Sequence, residues 1–278
     1  MGQRLTPNDV LAGAEKLPAF PKVLQHLIAA LDDEGSSLNS LVALLQRDPV
    51  LSGKVLARAN QLLRADRRQE LHSISAAVAF IGWHKLREIV LTASLADFAQ
   101  RTHAAAHFWE HSLAVAIAAQ ELSLQVGLNP DYAFIAGLLH DLGQLWLAYH
   151  HPHQFETART LVARDGMPTC EAEQQVFGMD HGEIGGLVAD YWELPAEISL
   201  AIGQHHRVDG PWDSHLLAVI HVAEGLCNGL DLPPRPANQV VRLSFAAATL
   251  IGLDWGAVPL DLFGRIEARF AFARTALH

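Results

Sequence analysis

No stretch of this 278-residue chain alternates apolar and polar residues with the two-residue period of a half-buried strand. Its apolar residues recur at three- and four-residue spacing instead, which gathers them on one face of a helix. Such a face is stable only when buried against other helices, so the pattern predicts an all-α fold. Half of the residues are hydrophobic and 18% are charged, enough apolar material for one large domain or two closely packed ones.

Two parts are read along the chain. Residues 1–100 read as a lobe of short helices. Leu17-Pro18-Ala19-Phe20-Pro21 is a stiff lead-in, and Val23, Leu24, Leu27, Ile28 and Leu31 form the stripe of the helix that follows. Ser37 or Asn39 caps a helix running to Arg47, and Asp48-Pro49 restarts the next. Ser73 or Ser75 opens another that Gly82 ends, and Leu86, Ile89, Val90 and Leu95 carry one more. Residues 101–278 form the second part. A helix from Phe108 to Val126 stops at Gly127, and Asn129-Pro130-Asp131 opens one that reaches His140-Asp141. A polar segment around His150-His151-Pro152-His153 follows. Asp180 and Glu183 form a capping-box pair, Pro195 starts a helix ending at His205-His206, and Ser214 starts another through Glu224. Pro233, Pro234 and Pro236 make a break before final packing helices.

Charge and cysteine usage narrow the function classes. A net charge of −10 without any Lys/Arg run repels phosphate backbones, so nucleic acid is not the expected partner. Cys170 and Cys227 have no Cys-x-x-Cys spacing and read as small packed residues. No apolar run reaches the roughly 18 residues of a membrane span, and the N-terminus has no secretory pattern. The expected location is the cytoplasm, with no membrane contact.

Histidine is the unusual component: 16 His stand against 20 Lys plus Arg. His111, His140, Asp141, His181, His205 and His206 fall on helices or at their ends, with Glu224 as a further candidate. An apolar helix such as Gly137-Leu138-Leu139 rarely runs into two ionisable residues unless they have partners. Adjacent His140 and Asp141 point about 100° apart on a helix, so the imidazole can serve one ion while the carboxylate bridges two. Imidazole-rich sites with a bridging carboxylate suit iron, manganese, zinc or nickel. The remaining histidines are assigned to the surface or to caps. His107 and His221, each about one turn from a candidate ligand, are weighed as supports and set aside.

Several motifs in order carry a family resemblance. Phe108-Trp109-Glu110-His111-Ser112, Ala136-Gly137-Leu138-Leu139-His140-Asp141-Leu142-Gly143, Phe177-Gly178-Met179-Asp180-His181 and Trp192-Glu193-Leu194-Pro195 resemble successive motifs of the HDOD family of bacterial signalling domains. Arg47-Asp48-Pro49-Val50-Leu51, Lys54 through Asn60, and Ser73 through Val78 with Ile81-Gly82 are similar to its opening helices. The resemblance covers about residues 15–230. It implies a two-lobed all-α domain related to HD metal-dependent phosphohydrolases. It also implies one metal at His111, His140, Asp141 and Glu224, and a second at His181, His205 and His206 with Asp141 bridging. Glu224 stands where the HD pattern has Asp, and Gln144 where the HD-GYP branch carries Lys. Arg207-Val208-Asp209-Gly210-Pro211 replaces any Gly-Tyr-Pro. The resemblance therefore favours a signalling module with a metal site, working on a protein partner or a small phosphate-containing ligand. The alternative is an active metal-dependent phosphohydrolase of nucleotides or other phosphate esters, with Asp141 at its catalytic centre.

Overall fold

Capping chemistry written into the sequence sets most of the helix boundaries. The structure is a computed structural model that describes residues 4–17, 42, 45, 52–53, 55–57, 60–61, 71, 73–82, 85–92, 106–209, 211–234, 243–254 and 260–275. Helix α1 (Pro7–Ala14) opens with a capping box between Thr6 and Asp9. Helix α2 (Ile74–Ile81) begins after Ser73, whose hydroxyl accepts the Ala76 N–H, and residues 85–92 are also helical. Helix α3 (Ala106–Val126) stops at Gly127, whose φ of +68° is the left-handed conformation that favours glycine. Helix α4 (Pro130–Leu139) starts at Asn129, whose side chain accepts the Asp131 N–H.

Helix α5 (Leu142–His150) is followed by α6 (Pro152–Asp165) and α7 (Thr169–Phe177). The polar segment expected around 150–153 is thus reduced to His151. Pro152 sits in the first turn of α6, where a missing N–H costs nothing. Helix α8 (His181–Tyr191) carries the Asp180–Glu183 capping box, α9 (Ala196–Gln204) follows Pro195, and α10 (His215–Gly229) is capped by Ser214. Helices α11 (Phe245–Leu250) and α12 (Leu260–Thr275) complete the described elements. Among the described residues there is no strand, and no helix is long and apolar enough to cross a membrane.

The chain divides into two compact units, Met1–Pro18 with Ala99–Ala273 and Ala19–Phe98 with Arg274–His278. In the first, α3 is buried from Trp109 to Ser123 and α10 from Leu216 to Asn228, and the two pack together. Helices with no polar face have no other place in a fold than its centre. Helix α4 lies against both, α9 against α4 and α10, and α8 against α5 and α9. Gly137 lets α4 approach α3, since a Cβ there would stand 2.7 Å from the Ala116 Cα. Helix α1 joins this unit, with the Leu5 N–H donating to the Phe177 carbonyl at 2.8 Å.

In the second unit Leu45, Val55, Ala77, Leu86, Val90 and Leu91 are buried. The Asn60 amide donates to the Leu71 carbonyl and accepts its N–H, at 2.9 and 2.7 Å. Of the helices expected from Pro21 to Arg47 only Val42 and Leu45 are described, both helical, and the Asp48-Pro49 restart lies outside the described residues.

Candidate metal centre

Asp141 occupies the turn between α4 and α5, directly after His140 at the end of α4. Its carboxylate is buried, and each oxygen faces two imidazoles. Oδ2 lies 3.4 Å from His140 Nε2 and 4.0 Å from His111 Nε2. Oδ1 lies 3.3 Å from His181 Nε2 and 3.8 Å from His205 Nε2. The tight meeting of α5 with α8 that creates this geometry depends on Gly143, where a Cβ would overlap the His181 carbonyl oxygen.

The outer nitrogens of these rings fix what the inner ones can do. His140 Nδ1 lies 2.7 Å from the Gly137 carbonyl and His205 Nδ1 lies 2.7 Å from the Ile202 carbonyl. A carbonyl only accepts, so both Nδ1 atoms carry a proton, and in the neutral form of each ring it is Nε2 that presents a lone pair. The His181 ring is also oriented from outside, its Nδ1 donating to Glu173 Oε2 at 2.6 Å. Inside, His181 Nε2 is 3.3 Å from His205 Nε2 and 2.7 Å from His206 Nε2. Lone pairs aimed at one another and at a carboxylate repel unless a cation or a proton sits among them.

The electrostatics agree. Burial, followed by the neighbouring imidazoles, pushes His205 well below the ordinary histidine range, and burial with His181 does the same to His206. For His181 burial acts downward, but Glu173 and Asp141 outweigh it and hold the ring well above that range. Burial also acts against ionisation of Asp141, and the surrounding histidines, His140 foremost, overcome it and hold the carboxyl well below its usual range. Once His181 gives up its extra proton, imidazole Nε2 atoms around an ionised carboxylate form the donor set of a divalent transition metal.

The candidate ligands form overlapping groups whose donor atoms lie within 4.8 Å of one another: Asp141, His181, His205 and His206; His111, His140 and Asp141; and His140, His205 and Glu224. All seven candidates from the sequence are therefore brought together. Glu224, the further candidate, is buried, with Oε2 3.6 Å from His206 Nδ1. Cys170 forms a further group with Glu173 and His181, but burial pushes its thiol up to about 12, away from the thiolate that ligates.

Three supporting residues escaped the sequence. Glu173 orients His181 from α7, eight positions upstream, and a glutamate within Glu171-Ala172-Glu173 gives no signal of burial. His221, set aside there, is buried and its Nδ1 lies 2.7 Å from the His205 carbonyl; its place one turn before Glu224 was the available signal. Gln144 donates to Asp141 Oδ1 at 3.0 Å, in the position where a lysine was noted as missing.

The profile of the HDOD domain matches residues 17–208. The chain belongs to the HDOD domain family. Among solved structures it is similar to an HDOD domain protein of unknown function from Geobacter sulfurreducens, with 25% identity, a TM-score of 0.76 and 98% of each chain covered. A protein from Shewanella amazonensis SB2B, provisionally named a phosphohydrolase, is 26% identical with a TM-score of 0.73, covering 97% of this chain and 98% of that one. A Marinobacter aquaeolei VT8 protein, at 21% identity and a TM-score of 0.76, shares the fold over all of this HDOD chain and 61% of its own. An uncharacterized protein of Treponema pallidum (strain Nichols) is 24% identical over 197 residues. That match covers 70% of this chain and 38% of the relative, so the HDOD chain spans well under half of the relative's length.

Proposed function

We propose that this HDOD chain is a signal-transduction or regulatory module built over a binuclear His/carboxylate metal centre. The observation that carries the proposal is the pair of Asp141 oxygens, each facing two imidazole Nε2 atoms. In this reading His111, His140 and Asp141 hold one ion, with Glu224 beside them. His181, His205 and His206 hold the other, with Asp141 shared. Iron, manganese, zinc and nickel suit these donors. All seven proposed ligands lie within residues 101–278, which carry the metal lobe. The partner is a signalling protein or a small phosphate-containing ligand.

A second reading, a metal-dependent phosphohydrolase, is favoured by one observation. The His206 side chain is 22% exposed while the other ligands are nearly closed off, giving the centre a side open to water. Bound ions would there supply an activated water and polarise a phosphoryl oxygen. The groups that would grip the phosphate argue for the module. Gln144 is neutral and its amide is engaged with Asp141. Arg207 donates to the Asp209 carbonyl and to Gln204, so its guanidinium is committed to its own loop.

The test is metal content per chain on protein purified without chelator or a metal affinity column. Close to two equivalents are expected, falling to one or none in Asp141→Ala. Unchanged metal content in that variant would overturn the shared-carboxylate reading.

A further inference from the structure

His221 lies on α10, 1% exposed, with both ring nitrogens engaged. Nδ1 lies 2.7 Å from the His205 carbonyl, and Nε2 accepts the backbone N–H of Ser244 at 2.9 Å. The carbonyl can only accept and the N–H can only donate, so the ring is held as a single neutral tautomer. The Trp212 ring packs against it, centroids 5.0 Å apart.

The acceptor on the Nδ1 side is the carbonyl of the peptide that joins His205 to His206. That peptide carries two neighbouring candidate ligands, and the His205 ring is separately tied to Ile202. The acceptor's opposite neighbour, Ser244, is the N-cap of α11 and accepts the Ala247 N–H through its hydroxyl. One imidazole therefore spans from the backbone of the ligand pair to the first turn of another helix.

We infer that His221 is a positioning residue for the metal centre, fixing the His205–His206 peptide through Nδ1 and joining it to the start of α11 through Nε2. The inference rests on the metal reading above. Each ring nitrogen has its own task, so the two can be separated. An asparagine places its amide N–H near the position of Nδ1, and a glutamine places its amide oxygen near the position of Nε2. His221→Asn keeps the link to the His205 carbonyl and loses the one to Ser244. His221→Gln does the reverse.

The experiment titrates Co²⁺ into the full metal-stripped chain and both variants, recording the visible spectrum, with hydrogen exchange read over residues 243–250. His221→Asn should bind Co²⁺ within about threefold of the parent with the same spectrum, as expected when the support of the ligand is kept, while the Ser244 amide exchanges faster. His221→Gln should bind about 10–100-fold more weakly, the usual cost of losing an outer support, with an altered spectrum and an unchanged Ser244 amide. Parental affinity and spectrum in His221→Gln would overturn the inference while leaving the metal reading intact. So would equal losses in both variants that track a loss of helix content, since His221 would then be a packing residue only. A parent chain that takes up no Co²⁺ would overturn the metal reading, and the inference with it.

Discussion

Glu173 Oε2 accepts two hydrogen bonds from His181, one from the backbone N–H at 2.9 Å and one from ring Nδ1 at 2.6 Å. A single buried oxygen thereby fixes both the start of α8 and the direction in which His181 presents Nε2. Glu173→Gln keeps the size and an acceptor but removes the charge. It should fold and hold metal about 10–100-fold more weakly, measured by competition with a chelator. Glu173→Ala leaves both N–H groups without that acceptor and should cost about 1–3 kcal/mol in urea unfolding of the metal-free chain. Parental metal affinity in Glu173→Gln would mean that the carboxylate does not tune the ring.

Metal uptake should release a proton at neutral pH. Burial lowers the His181 pKa, but Glu173 foremost and Asp141 act against it and hold it well above the ordinary histidine range, so this ring keeps its second proton more tightly than its neighbours in the metal-free chain. Its Nε2 must lose a proton before it can ligate, whereas His205 and His206 are already neutral. Affinity should therefore rise with pH. Calorimetry in buffers of different ionisation enthalpy measures the proton count, and heats independent of buffer would contradict the assignment.

Gly143 and Gly229 offer a paired test of close approach. At Gly143 a methyl group overlaps the His181 carbonyl, whereas at Gly229 it meets nothing within 4 Å. Gly143→Ala should lose about 1–3 kcal/mol, as overpacked positions do, and should lose metal with it. Gly229→Ala should be neutral or gain about 0.4–1 kcal/mol. Thermal melts of both, with metal content alongside, separate the local effect from a general one.

Glu121 on α3 accepts from Arg265 at 2.9 Å and from Arg269 at 2.6 Å on α12. Burial works against its ionisation, but the two guanidinium groups hold its carboxyl below the ordinary 4.5. A depressed carboxylate contributes stability that is complete above its unfolded value and lost as pH falls through its folded one. Glu121→Gln should cost about 1 kcal/mol at neutral pH. The gap from the parent should close as pH drops below 4.5. A gap of constant size down to pH 3 would show that charge is not what Glu121 contributes.

Four of the candidate ligand positions were legible because they are marked locally. His140-Asp141 ends a buried apolar helix, the Asp180–Glu183 box announces the helix that His181 begins, and Pro195 fixes where the helix before His205 starts. The supports were not legible for a physical reason. Glu173 and His221 act through a partner on another element, and burial of a polar side chain is decided by tertiary packing rather than by its neighbours in sequence. Helix α6 was hidden likewise, since only Ala158 along it is buried and its apolar spacing is correspondingly thin. The fold class was plain from periodicity alone.

His140, Asp141, His181, His205 and His206 all sit where helices begin or end. Each helix residue turns the chain by about 100°, so deleting one residue from α4 or α9 would swing its terminal side chains out of register with the rest. Lineages of this chain should therefore tolerate exchanges of residue type along α4 and α9 but not changes in their length. The connection between α6 and α7, which carries none of these groups, is where length can drift.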